Sequence, residues 1–265
     1  MRPGEIFETE CYEFLTNNYQ TQDIKFHHEG GMDSTKSDIA VIKKGNICFF
    51  IEAKDSSAQS GQFVLIPDNE NKQFVFSPRN KSNPNELTTI IINYMNSYFE
   101  RFNNAGTTGK YLNINEDVFA NWIVEHYRSK NVRYVISRKN DFIIFPIRKF
   151  QQYFNIRANY RIKKSGSGEP PKRDILTIKQ LIKNHYNEPC LTQSGNKLFV
   201  EIHETLTNDK FVLGNYTYFL AERNPNTYEI RKLSNTYNMN VIFEIDLKKS
   251  QASEDLDEFI SEINS

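Results

Sequence analysis

The chain has 265 residues, 38% of them hydrophobic and 25% charged, with 33 basic against 33 acidic side chains, which fits a folded protein of one large or two to three small domains and excludes a uniformly polycationic one. The longest apolar runs, residues 47–51 and 142–147, fall far short of the roughly 20 residues of a spanning helix, and the first residues lack the apolar segment of a signal peptide, which argues against a membrane role. Cys11, Cys48 and Cys190 are odd in number and widely spaced, so they form neither a disulfide framework nor a Cys-x-x-Cys zinc site, and a reducing cytoplasm is the expected compartment.

In chain order, residues 5–20 place Ile6 or Phe7, Cys11, Phe14 and Leu15 at helical spacing and read as an amphipathic helix. A polar loop with Gly30-Gly31 follows. The apolar runs 38–42 and 47–54 flank Lys43-Lys-Gly-Asn46, turn chemistry that predicts a β-hairpin. Residues 62–66 and 73–76 read as short strands, and 85–102 as one helix striped by Leu87, Ile90, Ile91, Tyr94, Met95 and Tyr98. The glycine-rich segment 103–109 reads as a boundary. Beyond it come a helix over 116–130 with Val118, Trp122, Ile123 and Tyr127, strands at 134–137, 142–147 and 159–162, and a break at 165–171. A Tyr- and Asn-rich region then carries a helix at 175–187 and strands at 197–202, 211–220 and 228–230, before an alternating strand at 241–247.

The zero net charge conceals segregation. Residues 125–174 hold thirteen Lys and Arg against four Asp and Glu, whereas 241–265 hold two against seven. Clustered cations neutralise backbone phosphates and release counterions, so the basic stretch fits a polyanionic partner as well as it fits a solvated face.

Glu52-Ala-Lys54 carries the chemistry. Glu-x-Lys alone says little, and Glu70-Asn-Lys72 is a second copy in a polar loop where a solvated pair suffices. Glu52 and Lys54 instead end an apolar strand, whose period of two puts both side chains on one face. Facing residues of an antiparallel pair keep a constant sum of positions. A turn at Lys44-Gly45-Asn46 makes that sum 90, which sets Asp38 opposite Glu52, and a two-residue turn shifts this by one place. Two carboxylates so placed repel unless a cation lies between them, and a hard divalent ion with oxygen ligands removes the conflict.

A carboxylate on one strand and Glu-x-Lys ending the next resembles the PD-(D/E)XK nucleases, with Ser37 where the motif usually has proline. Asp33-Ser-Thr-Lys-Ser-Asp-Ile39, Ile51-Glu-Ala-Lys54, Gly61-Gln-Phe-Val-Leu-Ile-Pro67, Asp141-Phe-Ile-Ile-Phe-Pro-Ile147, Tyr160-Arg-Ile-Lys-Lys-Ser-Gly-Ser167 and Leu233-Ser-Asn-Thr236 resemble, in the same order, blocks of the HhaI-type type II restriction endonucleases. Residues 172–230 match poorly. The resemblance implies an α/β (α+β) fold: a catalytic core with a mixed β-sheet flanked by helices over 1–109, a recognition domain from 110–168 with 231–265, and a small α/β accessory DNA-contacting domain inserted at 169–230. It implies Asp38, Glu52 and the Ala53 carbonyl as magnesium ligands, with Lys54 positioning or activating water. Manganese would substitute, and calcium would bind without supporting cleavage. The implied activity is magnesium-dependent double-strand cleavage at GCGC by a cytoplasmic, prokaryotic monomer, with a companion DNA methyltransferase that forms no stable complex with it.

The resemblance favours base or near-base contact by the loop of Tyr160, Arg161, Lys163, Lys164, Ser165, Gly166 and Ser167, whose chemistry suits guanine acceptors and close backbone approach; on residue chemistry alone a loop touching only phosphates is favoured. Gln59 and Gln62 read as contacts to the scissile phosphate or a base, or as plain surface. Glu8 reads as an acid reaching the metal through water or as a solvent-facing charge, and Asp33 as an extra acid or a turn cap. His27-His28 reads as a loop pair rather than a metal site, and Trp122 as core. Alternative readings of the whole chain are a structure-specific repair or junction-resolving nuclease and a catalytically silent DNA-binding protein; the intact Asp38, Glu52 and Lys54 speak against the second.

Overall fold

The structure, a computed structural model, describes residues 3–29, 37–164, 166–206, 209–234 and 236–265. The chain forms two compact units, Met1–Ile162 with Met239–Ser265, and Lys163–Asn238. From the N-terminus run α1 (Pro3–Tyr19), β1 (Ile24–His28), β2 (Ile39–Lys43), β3 (Asn46–Ala53), β4 (Ser57–Asp68), β5 (Gln73–Phe76), α2 (Glu86–Ser97) and α3 (Phe99–Asn103). Then come β6 (Lys110–Tyr111), α4 (Glu116–Arg128), β7 (Val132–Arg138), β8 (Phe142–Pro146), α5 (Phe150–Tyr153) and β9 (Phe154–Lys164). The second unit contains β10 (Ser167–Gly168), α6 (Ile175–His185), β11 (Cys190–Ser194), β12 (Lys197–Glu201), β13 (Lys210–Leu213), β14 (Tyr216–Asn224) and β15 (Thr227–Leu233), after which β16 (Tyr237–Leu247) returns to the first unit and α7 (Ser253–Asn264) closes it. No helix among the described residues is long and apolar enough to cross a membrane.

The first unit holds two sheets. One has the order β1-β2-β3-β7-β8, antiparallel throughout except for the parallel pair β3/β7. That sheet is mixed because α4 lies in the crossover from β3 to β7, and parallel neighbours need such a connection. Its two faces bury different partners. Phe49, Ile51 and Ala53 of β3 pack with Phe7, Cys11 and Leu15 of α1 and Phe259 and Ile263 of α7. Phe50 turns to the opposite face, toward a core containing Trp122, Ile123 and Tyr127 of α4. The other sheet, β5-β4-β16-β9-β6, adds Phe63, Leu65, Tyr160 and Phe243 to that same core. The strands expected near 62–66 and 73–76 thus belong to the sheet that contains β16, while the strands expected at 134–137 and 142–147 extend the sheet built on the hairpin.

Several elements differ from the sequence reading for identifiable reasons. The expected helix over 85–102 is two, broken at Tyr98 (φ −127°, ψ 38°), where the Asn96 side chain is engaged by the Phe74 N–H at 2.7 Å. The polar stretch after α1 contains β1, which places His27 and His28 on a strand. The run 211–220 is a hairpin folded at Gly214 (φ +57°). The acidic tail is α7, whose Leu256, Phe259, Ile260 and Ile263 make one apolar stripe. Asp255 of α7 is fully buried, and its carboxylate accepts from the Tyr153 hydroxyl at 2.6 Å and from the Lys149 ammonium. Burial works against that charge, but these donors outweigh it and hold the carboxyl below its usual range.

In the second unit β10 joins β15 beside the order β11-β12-β15-β14-β13, and α6 packs Ile178 and Ile182 against Leu198, Val200, Tyr218 and Ile230.

β4 carries a local irregularity with a steric cause. Gly61 has φ +100°, and a Cβ there would meet the Trp122 ring at 2.8 Å. Gly61→Ala is expected to lower the free energy of unfolding by roughly 1–3 kcal/mol through overpacking, with about 1–2 kcal/mol of backbone strain added. A denaturant midpoint unchanged from wild type would contradict this.

Candidate active site

The hairpin of β2 and β3 turns through Lys44 and Gly45, whose φ values of +49° and +84° suit a two-residue type I′ turn. Beside it Lys43 pairs with Asn46 and Ile42 with Ile47. The register then shifts at a bulge that leaves Cys48 extra, and beyond it Val41 pairs with Phe49, Ala40 with Phe50 and Ile39 with Ile51. One further step on this register sets Asp38 opposite Glu52. The three-residue turn expected from the sequence is therefore corrected: a shorter turn and a bulge together restore the same facing pair.

Asp38 lies just before β2, and its Oδ2 accepts the Ala53 N–H at 2.9 Å. Glu52 is 6% exposed, and its Oε1 lies 2.8 Å from Lys54 Nζ. The Lys54 N–H donates to the Ile136 carbonyl at 2.9 Å, so the backbone stays paired with β7 past the end of β3. Burial, followed by the facing Glu52 charge, pushes the Asp38 carboxyl up to about 8 against the pull of Lys54 and the Ala53 amide. Burial disfavours the Lys54 ammonium, but Glu52 outweighs it and holds the group protonated.

Helix α4 completes the surroundings. The ring centroid of Tyr127 lies 5.7 Å from Lys54 Nζ and 5.8 Å from Lys130 Nζ, and its hydroxyl hydrogen-bonds with Ser60 at 3.2 Å. Burial, then the Glu52 charge, pushes the Tyr127 phenol up. Burial and the nearby Lys130 lower His126 to about 4, so its ring, stacked on Trp122, is neutral at physiological pH. Sequence reading took Tyr127 only as part of the apolar stripe of α4. The signal that places it here is the chain order, since a crossover helix packs on the sheet beside the strands it joins.

The remaining expected residues are dispersed. Glu8 sits on α1 with Oε2 3.5 Å from His28 Nε2, and its charge acts on Asp38. Asp33 and Ser165 fall outside the described residues, as does the side chain of Lys164. Gln59 and Gln62 are exposed on β4 opposite Glu244 and Ile242 of β16, and Gln62 accepts from Asn240 at 2.9 Å. Tyr160 corrects the expectation of a DNA contact: it is fully buried, its ring packed edge-on against Phe74 and Phe102. It alternates inward on β9, so the core claims it. Arg161 is partly exposed in the first unit. Lys163 and Gly166 belong to the second unit, where Ser167 is held by Arg231 at 2.9 Å and the Gly166 carbonyl by the Ser234 N–H at 3.1 Å.

Asp38 and Glu52 present carboxyl oxygens and no nitrogen or sulfur ligand, which fits a hard divalent cation that would displace the Asp38 proton. Among the described residues no three His, Cys, Asp or Glu converge on one point, so carbonyl, water or substrate oxygens would supply the other ligands. The strain is measurable without an ion. A carboxyl raised to about 8 binds more protons folded than unfolded, so its contribution to stability falls as pH rises from about 4 to 8. In chelator, Asp38→Asn is expected to stabilise the protein by about 1 kcal/mol, with the gain growing across that window. An unfolding midpoint below that of wild type at pH 8 would refute it.

No family model and no curated protein match the chain. Among solved structures, an HhaI endonuclease in complex with DNA aligns with a TM-score of 0.80 and 37% identity, covering 98% of this chain and 99% of that one. An alignment this complete includes both units, the hairpin and the site at its open end, and the chain belongs to the HhaI family of type II restriction endonucleases.

Proposed function

We propose that this site-specific endonuclease makes double-strand cuts in duplex DNA at GCGC, or a closely related G/C palindrome, using magnesium. The observation that carries the reading is the half-buried Asp38 facing the buried Glu52, with Lys54 on Glu52, set in a chain that aligns end to end with a DNA-bound endonuclease. Asp38, Glu52 and the Ala53 carbonyl would hold the ion, which when bound offsets the charge that builds on the phosphate during attack. Lys54 orients the attacking water with the ammonium that Glu52 and the Tyr127 ring keep in place; to deprotonate that water it would first have to give up its own proton. Attack is in line on the scissile phosphorus and leaves 5′-phosphate and 3′-hydroxyl ends.

The chain works as a cytoplasmic monomer in a prokaryote, cutting the strands in succession, and a companion methyltransferase protects host DNA. Residues 1–109 supply the catalytic groups; 110–168 with 231–265 read sequence through Arg161, Lys163, Lys164, Ser165, Gly166 and Ser167; 169–230 add DNA contact. Gln59 and Gln62 are exposed on β4 and available to DNA.

Digestion of unmethylated plasmid with magnesium, beside chelator and GCGC-methylated controls, is expected to give discrete fragments ending at GCGC only in the first reaction. Fragments ending at another sequence would replace the site, and plasmid left intact would remove the activity. Lys54→Ala is expected to slow cleavage by about 10²–10⁴-fold, with duplex affinity retained. Full cleavage by that variant would take Lys54 out of the mechanism.

A further inference from the structure

The three residues that follow β3 are tied on both sides. The Lys54 N–H donates to the carbonyl of Ile136 on β7 at 2.9 Å, and the Leu247 N–H of β16 donates to the Ser56 carbonyl at 2.7 Å. Following each of those strands onward leads to a lysine: Lys139 just past the end of β7, and Lys248 just past the end of β16. These two, with Lys249, Asn140, Asp141 and Ser250, line a concave pocket of about 270 Å³.

The pocket is built into the fold. Gln251 spans its base, accepting the Ile144 N–H at 2.6 Å and donating to the Ile144 and Ala252 carbonyls at 2.9 and 2.8 Å, which fixes the 248–251 segment against β8. The Lys248 N–H donates to the Tyr153 carbonyl at 2.9 Å, and Lys249 Nζ lies 4.7 Å from the Tyr153 ring centroid. The ammonium groups of Lys139 and Lys248 form no ion pair with a described residue. Among the described residues Asp141 is the one acid of the lining, against three lysines. None of the described lining residues is aromatic, so the pocket offers charge and hydrogen-bond donors without a surface on which a base could stack.

We propose that this pocket holds a backbone phosphate of the bound DNA, beside the catalytic edge and away from the scissile position. The assignment rests on the DNA-cleaving reading above. Three cations around a cavity of this size match a phosphodiester, and the absence of a stacking surface makes the contact indifferent to sequence.

The test measures affinity of the full chain for two duplexes, one with GCGC and one without, over a series of salt concentrations with calcium in place of magnesium. Lys139→Gln with Lys248→Gln is expected to weaken binding to both duplexes by the same factor, roughly ten-fold, and to flatten the slope of log affinity against log salt by about one unit, near 0.9 for the one phosphate that is no longer neutralised. Lys139→Arg with Lys248→Arg keeps the charge and is expected to restore both. An unchanged slope in the glutamine variant would overturn the proposal, as would a weakening confined to the GCGC duplex, which would make the pocket a base reader. A wild-type chain that binds neither duplex would overturn the DNA reading itself, and is thereby distinguishable from failure of the pocket alone.

Discussion

Two carboxyl groups held face to face at the end of a buried strand, which cannot both ionise without repulsion, are the constraint that the first unit is built around. Ionising both would set Asp38 against Glu52, so the Asp38 carboxyl is pushed up to about 8 and holds its proton at neutral pH, while Lys54 pairs with Glu52. Such a pair persists only where the backbone is over-determined. Here the Asp38 carboxylate is fixed by the Ala53 amide, Lys54 by its backbone bond to β7, and Glu52 by the apolar packing of Ile51 and Ala53 on either side of it. The strain is an affinity for positive charge in advance of any ligand.

The rest of the unit serves that geometry. β3 is the middle strand of its sheet, with β2 and β7 on its two edges, so neither carboxylate bearer can slide. A one-residue slip would send Glu52 to the α1 side and expose Ala53 in its place. The bulge at Cys48 prevents that outcome, because the two-residue turn by itself would put the pairing one position out. Helix α4 then supplies an aromatic wall: Tyr127 stands within cation–π distance of both Lys54 and Lys130, and its hydroxyl is satisfied by Ser60 rather than by the charged groups.

The candidate site was legible because its signal is local and has a period. The arithmetic of one hairpin brought Asp38 to Glu52, and the strand context separated Glu52-Ala-Lys54 from Glu70-Asn-Lys72, which lies in the exposed turn after β4. What escaped depends on contacts between distant segments. Tyr160 carries the same side chain whether it meets DNA or a core; only Phe74 and Phe102 decide. Gln59 and Gln62 lie three apart yet both face outward, because Gly61 at φ +100° interrupts the alternation of β4. In the sequence the tail reads only as acidic, with five Asp and Glu among the twelve residues of α7, and its four apolar positions gain meaning only against the hairpin sheet.

That tail also changes what the basic stretch means. Four of its acids meet bases of 125–174: Arg133 meets Glu262, Arg148 meets Glu258, Lys149 meets Asp255 and Arg157 meets Asp246. The three exposed pairs, all but Lys149–Asp255, contribute about 0–1 kcal/mol each, so their main effect on the field is cancellation. Four of the thirteen bases are answered in this way, so the positive charge left outward sits at fewer places than the count suggests. Lys139, at the end of β7, is one of them. Lys248 and Lys249 are the two bases that the acidic tail itself contains, and they lie on the pocket next to the catalytic edge rather than on the helix that neutralises the arginines. A chain with no net charge can in this way present a positive surface where a phosphate would lie, while its opposite charges are spent on holding α7 in place.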